Sequence, residues 1–133
     1  MITSGLQDYI ELIYNTISQN KEIKAIDIAN YFKISRASVS EALIRLADLD
    51  LIVYEGRKGI KITQKGINEA KQIHKKHLIL ERFFCEVLNA DIEISSKNAC
   101  KIEHVIDEEL IDKIDNFTNL YLKNTTDKNL KRV

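Results

Sequence analysis

Several residue types that constrain a fold are scarce in this chain. Its 133 residues include no proline, no tryptophan, four glycines and two cysteines. The cysteines, Cys85 and Cys100, form no Cys-x-x-Cys pair, and a structural disulfide is not expected. No apolar run approaches the roughly 18 residues of a membrane span, and no basic-then-apolar signal pattern opens the chain. We therefore expect a cytoplasmic protein that has no membrane partner.

The formal net charge is zero, but the charges are sorted along the chain. Residues 57–76 hold seven lysines or arginines against one glutamate, whereas residues 90–115 hold eight acidic residues against three lysines. A net charge of zero is not typical of nucleic-acid binding. The separation of basic from acidic segments nevertheless carries information about partners that the net charge does not show. With 44% hydrophobic residues, the chain can bury the core of one domain or of two small lobes.

The first half of the chain predicts a winged helix-turn-helix. Residues 25–32 form a short amphipathic pattern, and residues 35–48 form a second helical pattern that Ser35 can cap at its N-terminus. Two β-branched runs then flank a turn at residues 56–59, whose two glycines predict a hairpin. A basic hairpin directly after a helix-turn-helix is typical of a DNA-binding wing. The alternative is a small α+β domain with a solvated basic loop.

Polar and basic residues on the second of these helices and on the wing are the expected DNA contacts. The N-terminal half of a recognition helix reads base edges, and a wing reaches the DNA backbone or the minor groove. Each of these residues could equally be a solvated surface group. The candidates, which would contact double-stranded operator DNA, are Ser35, Arg36, Ser38, Ser40, Arg57 and Lys58.

Side chains that can bind a divalent metal recur beside the apolar stripes of three predicted helices. The first helix spans residues 4–19 with Ser4 as its N-cap, the longest spans residues 64–88, and a third follows with Ser95 or Ser96 as its cap. Residues three or four apart share a helix face, so each helix presents its donors together. The donors are Asp8 and Glu11 on the first helix, His77 and Glu81 on the longest, and Cys100, Glu103 and His104 on the third.

Spacing alone leaves two interpretations of these donors open. Buried carboxylates and imidazoles are costly without compensation, and a divalent cation would neutralise and satisfy them in one step. Alternatively, the acids of the first helix border a solvated face, His77 is a structural histidine beside the core, and Cys100 is a small residue packed between helices.

The pattern of the C-terminal part predicts a helical lobe with an apolar surface that must be buried. Residues 110–121 continue an apolar stripe, and a second copy of the chain is the simplest partner that could bury it. Residues 124–133 have the composition of a frayed polar tail. The predicted fold is mostly α with a small β-hairpin: an N-terminal winged helix-turn-helix (1–63), a long connecting helix (64–88) and a C-terminal helical metal-binding and dimerisation lobe (89–133).

Taken in order, these motifs resemble the metal-dependent transcriptional repressors that include the diphtheria toxin repressor and the manganese transport regulator. The resemblance covers nearly the whole chain and is close to the short manganese-regulator form, which ends in a dimerising helical lobe without an SH3-like domain. Its motifs are Asp8-Tyr9-Ile10-Glu11-x-Ile13-Tyr14, the winged helix, His77-x-x-x-Glu81 and Cys100-x-x-Glu103-His104. Carried over by position, the resemblance implies six metal ligands and one further candidate, Glu81. The six are Asp8, Glu11, His77, Cys100, Glu103 and His104.

This chain combines features of both branches of that family. Asp8 matches the manganese branch, where the iron branch has a methionine, and Cys100 matches the iron branch, where the manganese branch has a glutamate. Ser96 stands where the iron branch has an ancillary histidine. Carboxylates suit Mn²⁺, whereas a thiolate shifts preference toward Fe²⁺, Co²⁺ or Zn²⁺. Mn²⁺ and Fe²⁺ therefore both stay open as the natural ion, with Co²⁺ or Zn²⁺ expected as substitutes in vitro.

The function that the resemblance implies is regulation rather than catalysis. A homodimer loaded with Mn²⁺ or Fe²⁺ would bind operator DNA and repress metal-uptake genes. The alternative is a winged-helix regulator that responds to a small organic ligand or to thiol oxidation. A metallohydrolase fits poorly, because the sequence has no His-Glu-x-x-His motif and gives no sign of a substrate cleft with an open metal position.

Overall fold

A computed structural model of the protein describes residues 4–131, with side chains described for residues 5–125. The predicted Ser4 cap falls on a side chain outside the described residues. The mostly helical fold with a small β-hairpin is confirmed. None of the helices in residues 4–131 is long and apolar enough to cross a membrane. The elements are α1 (Ser4–Ser18), α2 (Ala25–Phe32), α3 (Arg36–Asp48), β1 (Ile52–Tyr54), a 3₁₀ turn (Gly56–Lys58), β2 (Ile60–Ile62), α4 (Gln64–Arg82), a π-helical segment (Phe83–Val87), α5 (Ile92–Ile102) and α6 (Glu108–Lys131).

The chain divides within α4 into two compact units. The first unit ends at Ile73, and the second begins at His74. Each unit has its own cluster of buried apolar side chains.

The first unit contains the predicted helix-turn-helix. α2 ends at Phe32 because the next residue, Lys33, has left-handed backbone angles (φ 58°, ψ 47°) that stop the helix. α3 begins after Ser35, whose Oγ accepts a hydrogen bond from the Ser38 backbone N–H at 3.1 Å. The predicted cap is therefore present. Four side chains of α3 are buried against α1 and α2, namely Val39, Ala42, Leu43 and Leu46. Ile26, an apolar residue of the amphipathic pattern predicted for residues 25–32, is 42% exposed and so lies outside the core.

The hairpin has the predicted form. β1 pairs antiparallel with β2, and Ile52 lies opposite Ile62. Gly56 and Gly59 have φ angles of 62° and 91°, conformations that L side chains rarely adopt, so both glycines serve the turn. The tip residues Arg57 and Lys58 are exposed.

A glycine allows α4 to begin directly against the strand region. A Cβ on Gly66 would collide with the carbonyl oxygen of Leu51 and meet Ile62 Cγ1 at 2.8 Å. Lys65 Nζ donates to the carbonyl oxygen of Leu49 at 3.0 Å, and Thr63 Oγ1 donates to that of Asp50 at 2.6 Å. These contacts fix the first turn of α4 on the winged domain.

The second unit is helical throughout its regular structure; its long helix runs nearly as far as predicted, but the predicted start of the next helix was wrong. The α-helical part of α4 ends at Arg82 and continues as a π-helical turn to Val87. α5 begins at Ile92 with Asp91 as its cap, which accepts from the Glu93 backbone N–H at 3.1 Å. The predicted caps Ser95 and Ser96 lie inside α5, and Ser95 is buried.

The end of the chain also differs from the prediction. α6 runs to Lys131, so residues 124–131 continue a helix that was expected to have frayed. Helix propagation adds one backbone hydrogen bond per residue, and the polar composition of this stretch contains no glycine or proline that would stop it. The unit's core lies among α4, α5 and α6 and contains Ile79, Leu80, Ala99 and Ile111.

Candidate metal centre

The second unit brings three candidate donors together around His77. α4 supplies His77, α5 supplies Cys100, and Glu103 follows the last residue of α5. The predicted helix through His104 ends earlier, at Ile102, but Glu103 keeps right-handed helical angles (φ −54°, ψ −28°). Its side chain therefore stays on the face that carries Cys100, as the spacing predicted. Burial of Leu80 and Ala99 in the core holds the two helices beside each other.

The distances define a compact cluster of nitrogen, sulfur and oxygen atoms. His77 Nδ1 lies 2.9 Å from Glu103 Oε2 and 3.7 Å from Cys100 Sγ. One donor atom from each of these three residues lies within 4.8 Å of the others. Glu103 is 3% exposed, whereas Cys100 is exposed, so the cluster has a buried carboxylate side and an accessible thiol side.

Both nitrogens of His77 face a carboxylate. Nε2 lies 3.0 Å from Glu81 Oε2, one helical turn further along α4, while Nδ1 lies 2.9 Å from Glu103 Oε2. A neutral imidazole can donate to only one of the two carboxylates, whereas an imidazolium can donate to both. With a metal ion bound at Nδ1, the ring would be neutral and would donate from Nε2 alone.

Glu103 lies between two imidazoles. Its Oε2 contacts His77, and its Oε1 lies 3.6 Å from His104 Nε2. Burial of a carboxylate is expensive unless it is paired or hydrogen-bonded. The two imidazoles therefore offset part of the free-energy cost of burying Glu103. Each oxygen of its carboxylate faces an imidazole nitrogen, and imidazole is itself a common metal ligand.

Asp8 and Glu11 lie in the first unit, on successive turns of α1. Asp8 is exposed and Glu11 is half-buried. Tyr9 lies between them in sequence and packs against Phe32, with ring centroids 5.0 Å apart and ring planes tilted by 49°, and burial raises the pKa of its hydroxyl. The side chain of Tyr9 thus serves the core of its unit, while the flanking acids border that core, as the α1 pattern predicted.

The donors of the second unit fit a divalent metal ion. Donor atoms bound to one ion at about 2.0–2.3 Å can be at most about 4–4.6 Å apart. His77 Nδ1 lies within this limit of both Glu103 Oε2 (2.9 Å) and Cys100 Sγ (3.7 Å), and no two of the three donor atoms are more than 4.8 Å apart. Imidazole, thiolate and carboxylate are all established ligand types for Mn²⁺, Fe²⁺, Co²⁺ or Zn²⁺ sites.

The residues predicted to contact DNA all lie in the first unit. Ser35, Arg36 and Ser38 are exposed at the start of α3, and Ser40 is half-buried. Ser35 and Ser38 are also hydrogen-bonded to each other, Oγ to Oγ, at 3.0 Å. Arg57 and Lys58 extend from the wing as described above. These positions leave the first turn of α3 and the wing tip accessible to a partner.

Sequence reasoning missed one contact that shapes the metal centre. Lys76 Nζ donates to the carbonyl oxygen of Ile106 at 3.0 Å, which ties α4 to the turn containing Glu103 and His104. The two residues are thirty positions apart in the sequence. No local sequence pattern indicates this hydrogen bond. The residues around Lys76 would be the same whether or not its side chain reached a carbonyl group far away in the sequence.

Comparisons with known proteins identify both halves of the chain. Residues 1–60 match the family described as "Iron dependent repressor, N-terminal DNA binding domain", and residues 63–127 match "Iron dependent repressor, metal binding and dimerisation domain". The chain is 34% identical over 114 residues to an uncharacterised HTH-type transcriptional regulator of Methanocaldococcus jannaschii, a match that covers 85% of this chain and 91% of that protein. It is 30% identical over 126 residues to the HTH-type transcriptional regulator MntR of Shouchella clausii, covering 95% of this chain and 87% of the relative.

A solved structure agrees with these sequence relationships. The manganese regulator SloR superposes with a TM-score of 0.74 and 27% sequence identity, covering 86% of this chain. The chain spans about half of that protein, 53% of its length. Members of the matched family are transcriptional regulators rather than enzymes, and their metal-binding domain is the part that corresponds to the donor cluster around His77. The chain therefore belongs to the iron-dependent repressor family, the metal-dependent transcriptional regulators of the diphtheria toxin repressor and manganese transport regulator type.

Proposed function

We propose that this protein is a repressor that binds operator DNA as a homodimer when it is loaded with Mn²⁺ or Fe²⁺. The observation that carries the proposal is the grouping of His77, Cys100 and Glu103 within 4.8 Å, inside the segment that matches a metal-binding domain. Two of these three donors are anionic ligand types, which suits a divalent cation. Metal-uptake genes are the proposed targets, in keeping with the family resemblance.

The proposed ligand set contains all six residues that the sequence motifs single out. His77, Cys100, Glu103 and His104 belong to the second unit, and the remaining two ligands, Asp8 and Glu11, belong to the first. When bound, a divalent ion would supply positive charge that neutralises the ligating carboxylates. The inclusion of Asp8 and Glu11 rests on their motif in α1 and on family membership.

The proposed division of labour follows the three segments named from the sequence. Residues 1–63 bind DNA, residues 64–88 connect the two and contribute the ligand His77, and residues 89–133 supply further metal ligands and pair with a second copy. Exposed apolar side chains support a partner surface on the last segment, among them Ile92, Leu110 and Phe117, each at least half exposed. A regulator of DNA acts where the chromosome is, so we place the protein in the cytoplasm.

DNA recognition is proposed for the first turn of α3 and for the wing. Arg36 carries a fixed fork of donors suited to guanine or phosphate, whereas Ser38 and Ser40 offer hydroxyls to base edges. Ser35, Arg57 and Lys58 would contact the sugar-phosphate backbone. A dimer would present two such sets to half-sites about 34–36 Å apart or to a multiple of that spacing.

Equilibrium dialysis tests the metal requirement against the runner-up. Metal-free protein is dialysed against Mn²⁺ and, under anaerobic conditions, against Fe²⁺. A metal-dependent repressor takes up at least one equivalent per chain. A winged-helix regulator that responds to an organic ligand or to thiol oxidation takes up none, and that result would reject the proposal while leaving family membership intact.

A further inference from the structure

We propose that Glu81 is a positioning residue for the metal centre: it holds the His77 ring from the Nε2 side so that Nδ1 faces the ion, and it does not itself bind the ion. This inference rests on the metal site proposed above and assigns Glu81 a different role from that of the six ligands. Glu81 and His77 are one turn apart on α4, where side chains four residues apart are neighbours.

The two nitrogens of His77 have different surroundings. Nδ1 faces the other donors, with Glu103 Oε2 at 2.9 Å and Cys100 Sγ at 3.7 Å, and Nε2 faces Glu81 Oε2 at 3.0 Å. The lone pairs of the two ring nitrogens diverge, so one ion cannot bind both. The cluster of three donors includes His77, Cys100 and Glu103 and does not include Glu81. Glu81 therefore lies on the side of the ring that faces away from the cluster.

Hydrogen bonding explains what Glu81 would do there. A histidine that binds a metal through one nitrogen commonly donates its other N–H to a carboxylate, which fixes the tautomer, orients the ring and makes the ligating nitrogen more basic. Glu81 is a quarter exposed and His77 less than a fifth, so this hydrogen bond is partly shielded from competing water. Because both residues lie on the same rigid helix, the acceptor is in place before any ion arrives.

Substitutions at Glu81 separate a positioning role from a ligand role. Glutamine keeps an oxygen that can accept the Nε2–H bond but is a much poorer metal ligand than a carboxylate. Alanine removes both properties. Glu86 offers a matched control, since it is an exposed acid in the adjoining helical turn and pairs with Arg82 at 3.0 Å. Full-length wild type and the variants Glu81→Gln, Glu81→Ala and Glu86→Ala are compared as purified, metal-free proteins.

Two measurements are made with Co²⁺ as the probe. Affinity is measured by equilibrium dialysis, and the absorption spectrum of the Co²⁺ complex reports coordination number and the thiolate bond. We expect Glu81→Ala to weaken affinity by about 10- to 100-fold, as for other outer ligand partners. We expect Glu81→Gln to lose less than about tenfold and to keep the wild-type spectrum. Glu86→Ala should match wild type in both.

The outcomes distinguish failure of this inference from failure of the metal site. If Glu81→Gln loses as much affinity as Glu81→Ala, or changes the Co²⁺ spectrum, Glu81 is a ligand and the positioning role is wrong. Wild-type affinity in Glu81→Ala would overturn it as well. If the wild-type protein itself binds no Co²⁺, Mn²⁺ or Fe²⁺, the proposed function fails and this inference fails with it. Should Glu81→Ala not fold, the glutamine variant and its spectrum still decide between the two roles.

Discussion

Replacing Cys100 by alanine should abolish most of the stability that the protein gains from bound metal. Cys100 is exposed, so removing its sulfur should change the stability of the metal-free protein by no more than about 0.5 kcal/mol. The same sulfur is one of three donor types around His77, 3.7 Å from Nδ1. Metal affinity should therefore fall sharply while the fold stays intact.

The size of the effect follows from linkage. Loss of an outer partner of a ligand weakens metal binding by about 10- to 100-fold, and loss of a ligand should reach at least the upper end of that range. At free Mn²⁺ equal to about 100 times the wild-type Kd, the wild type gains about 2.7 kcal/mol. A variant that binds about 100-fold more weakly gains only about 0.4 kcal/mol under the same conditions. The expected difference of about 2.3 kcal/mol is large enough to measure.

Urea unfolding followed by circular dichroism, with Mn²⁺ and with a chelator, measures these gains at one fixed protein concentration. Cys85→Ala is the matched control, because Cys85 is half-buried in the π-helical segment and is not part of the donor cluster. It should retain the full gain from Mn²⁺, whatever its effect on intrinsic stability. If Cys100→Ala also retained the full gain, Cys100 would not be a ligand.

Three further predictions concern the DNA-binding unit. Gly66→Ala should destabilise the protein by about 1–3 kcal/mol in urea unfolding, because the new Cβ collides with the Leu51 carbonyl oxygen. Gly5→Ala, which meets nothing within 4 Å, should not destabilise it, and equal effects would contradict the close approach. Ser35→Ala should cost about 1 kcal/mol through loss of the α3 cap, whereas Ser35→Asp should keep the cap and weaken DNA binding; unchanged DNA affinity would argue against a nearby phosphate. Arg57→Ala should reduce the slope of log affinity against log salt by about 0.9, and an unchanged slope would remove Arg57 from the phosphate contacts.

The winged helix-turn-helix could be predicted from the sequence because its signals are local. Ser35 precedes an apolar pattern with helical spacing, and its cap hydrogen bond is formed within three residues. Gly56 and Gly59 bracket a basic tip, and both occupy the positive-φ conformations that glycine favours. Each of these features depends on neighbours in the chain, so the pattern was sufficient.

The start of α5 could not be predicted, because two cap residues compete there. Serine and aspartate are similarly favoured as caps, and the apolar spacing did not distinguish Asp91 from Ser95. The residues that follow Asp91 gave no burial pattern to decide between them, since Ile92 and Ile94 are both more than half exposed. The burial of Ser95 inside α5 depends on packing between helices, which is not visible in a local window.

The metal centre shows the same division between local and distant information. Helical spacing correctly placed Cys100 and Glu103 on one side and brought Glu81 next to His77. The spacing could not show which nitrogen of His77 faces which carboxylate, because Glu103 is 26 residues away from the histidine. For that reason the sequence leaves open whether Glu81 is a ligand. In the structure Glu81 lies against Nε2 of His77, whereas Glu103 lies against Nδ1.

The most direct test of metal-dependent regulation is the DNA affinity of the intact protein with and without metal. A duplex is first selected from a random pool in the presence of Mn²⁺, and its binding is then followed by fluorescence anisotropy in Mn²⁺, anaerobic Fe²⁺, Co²⁺, Zn²⁺ or a chelator. Metal-dependent repression predicts that Mn²⁺ or Fe²⁺ tightens binding by about 5- to 150-fold and that the chelator reverses it. Equal affinity in every condition, including the chelator, would contradict it.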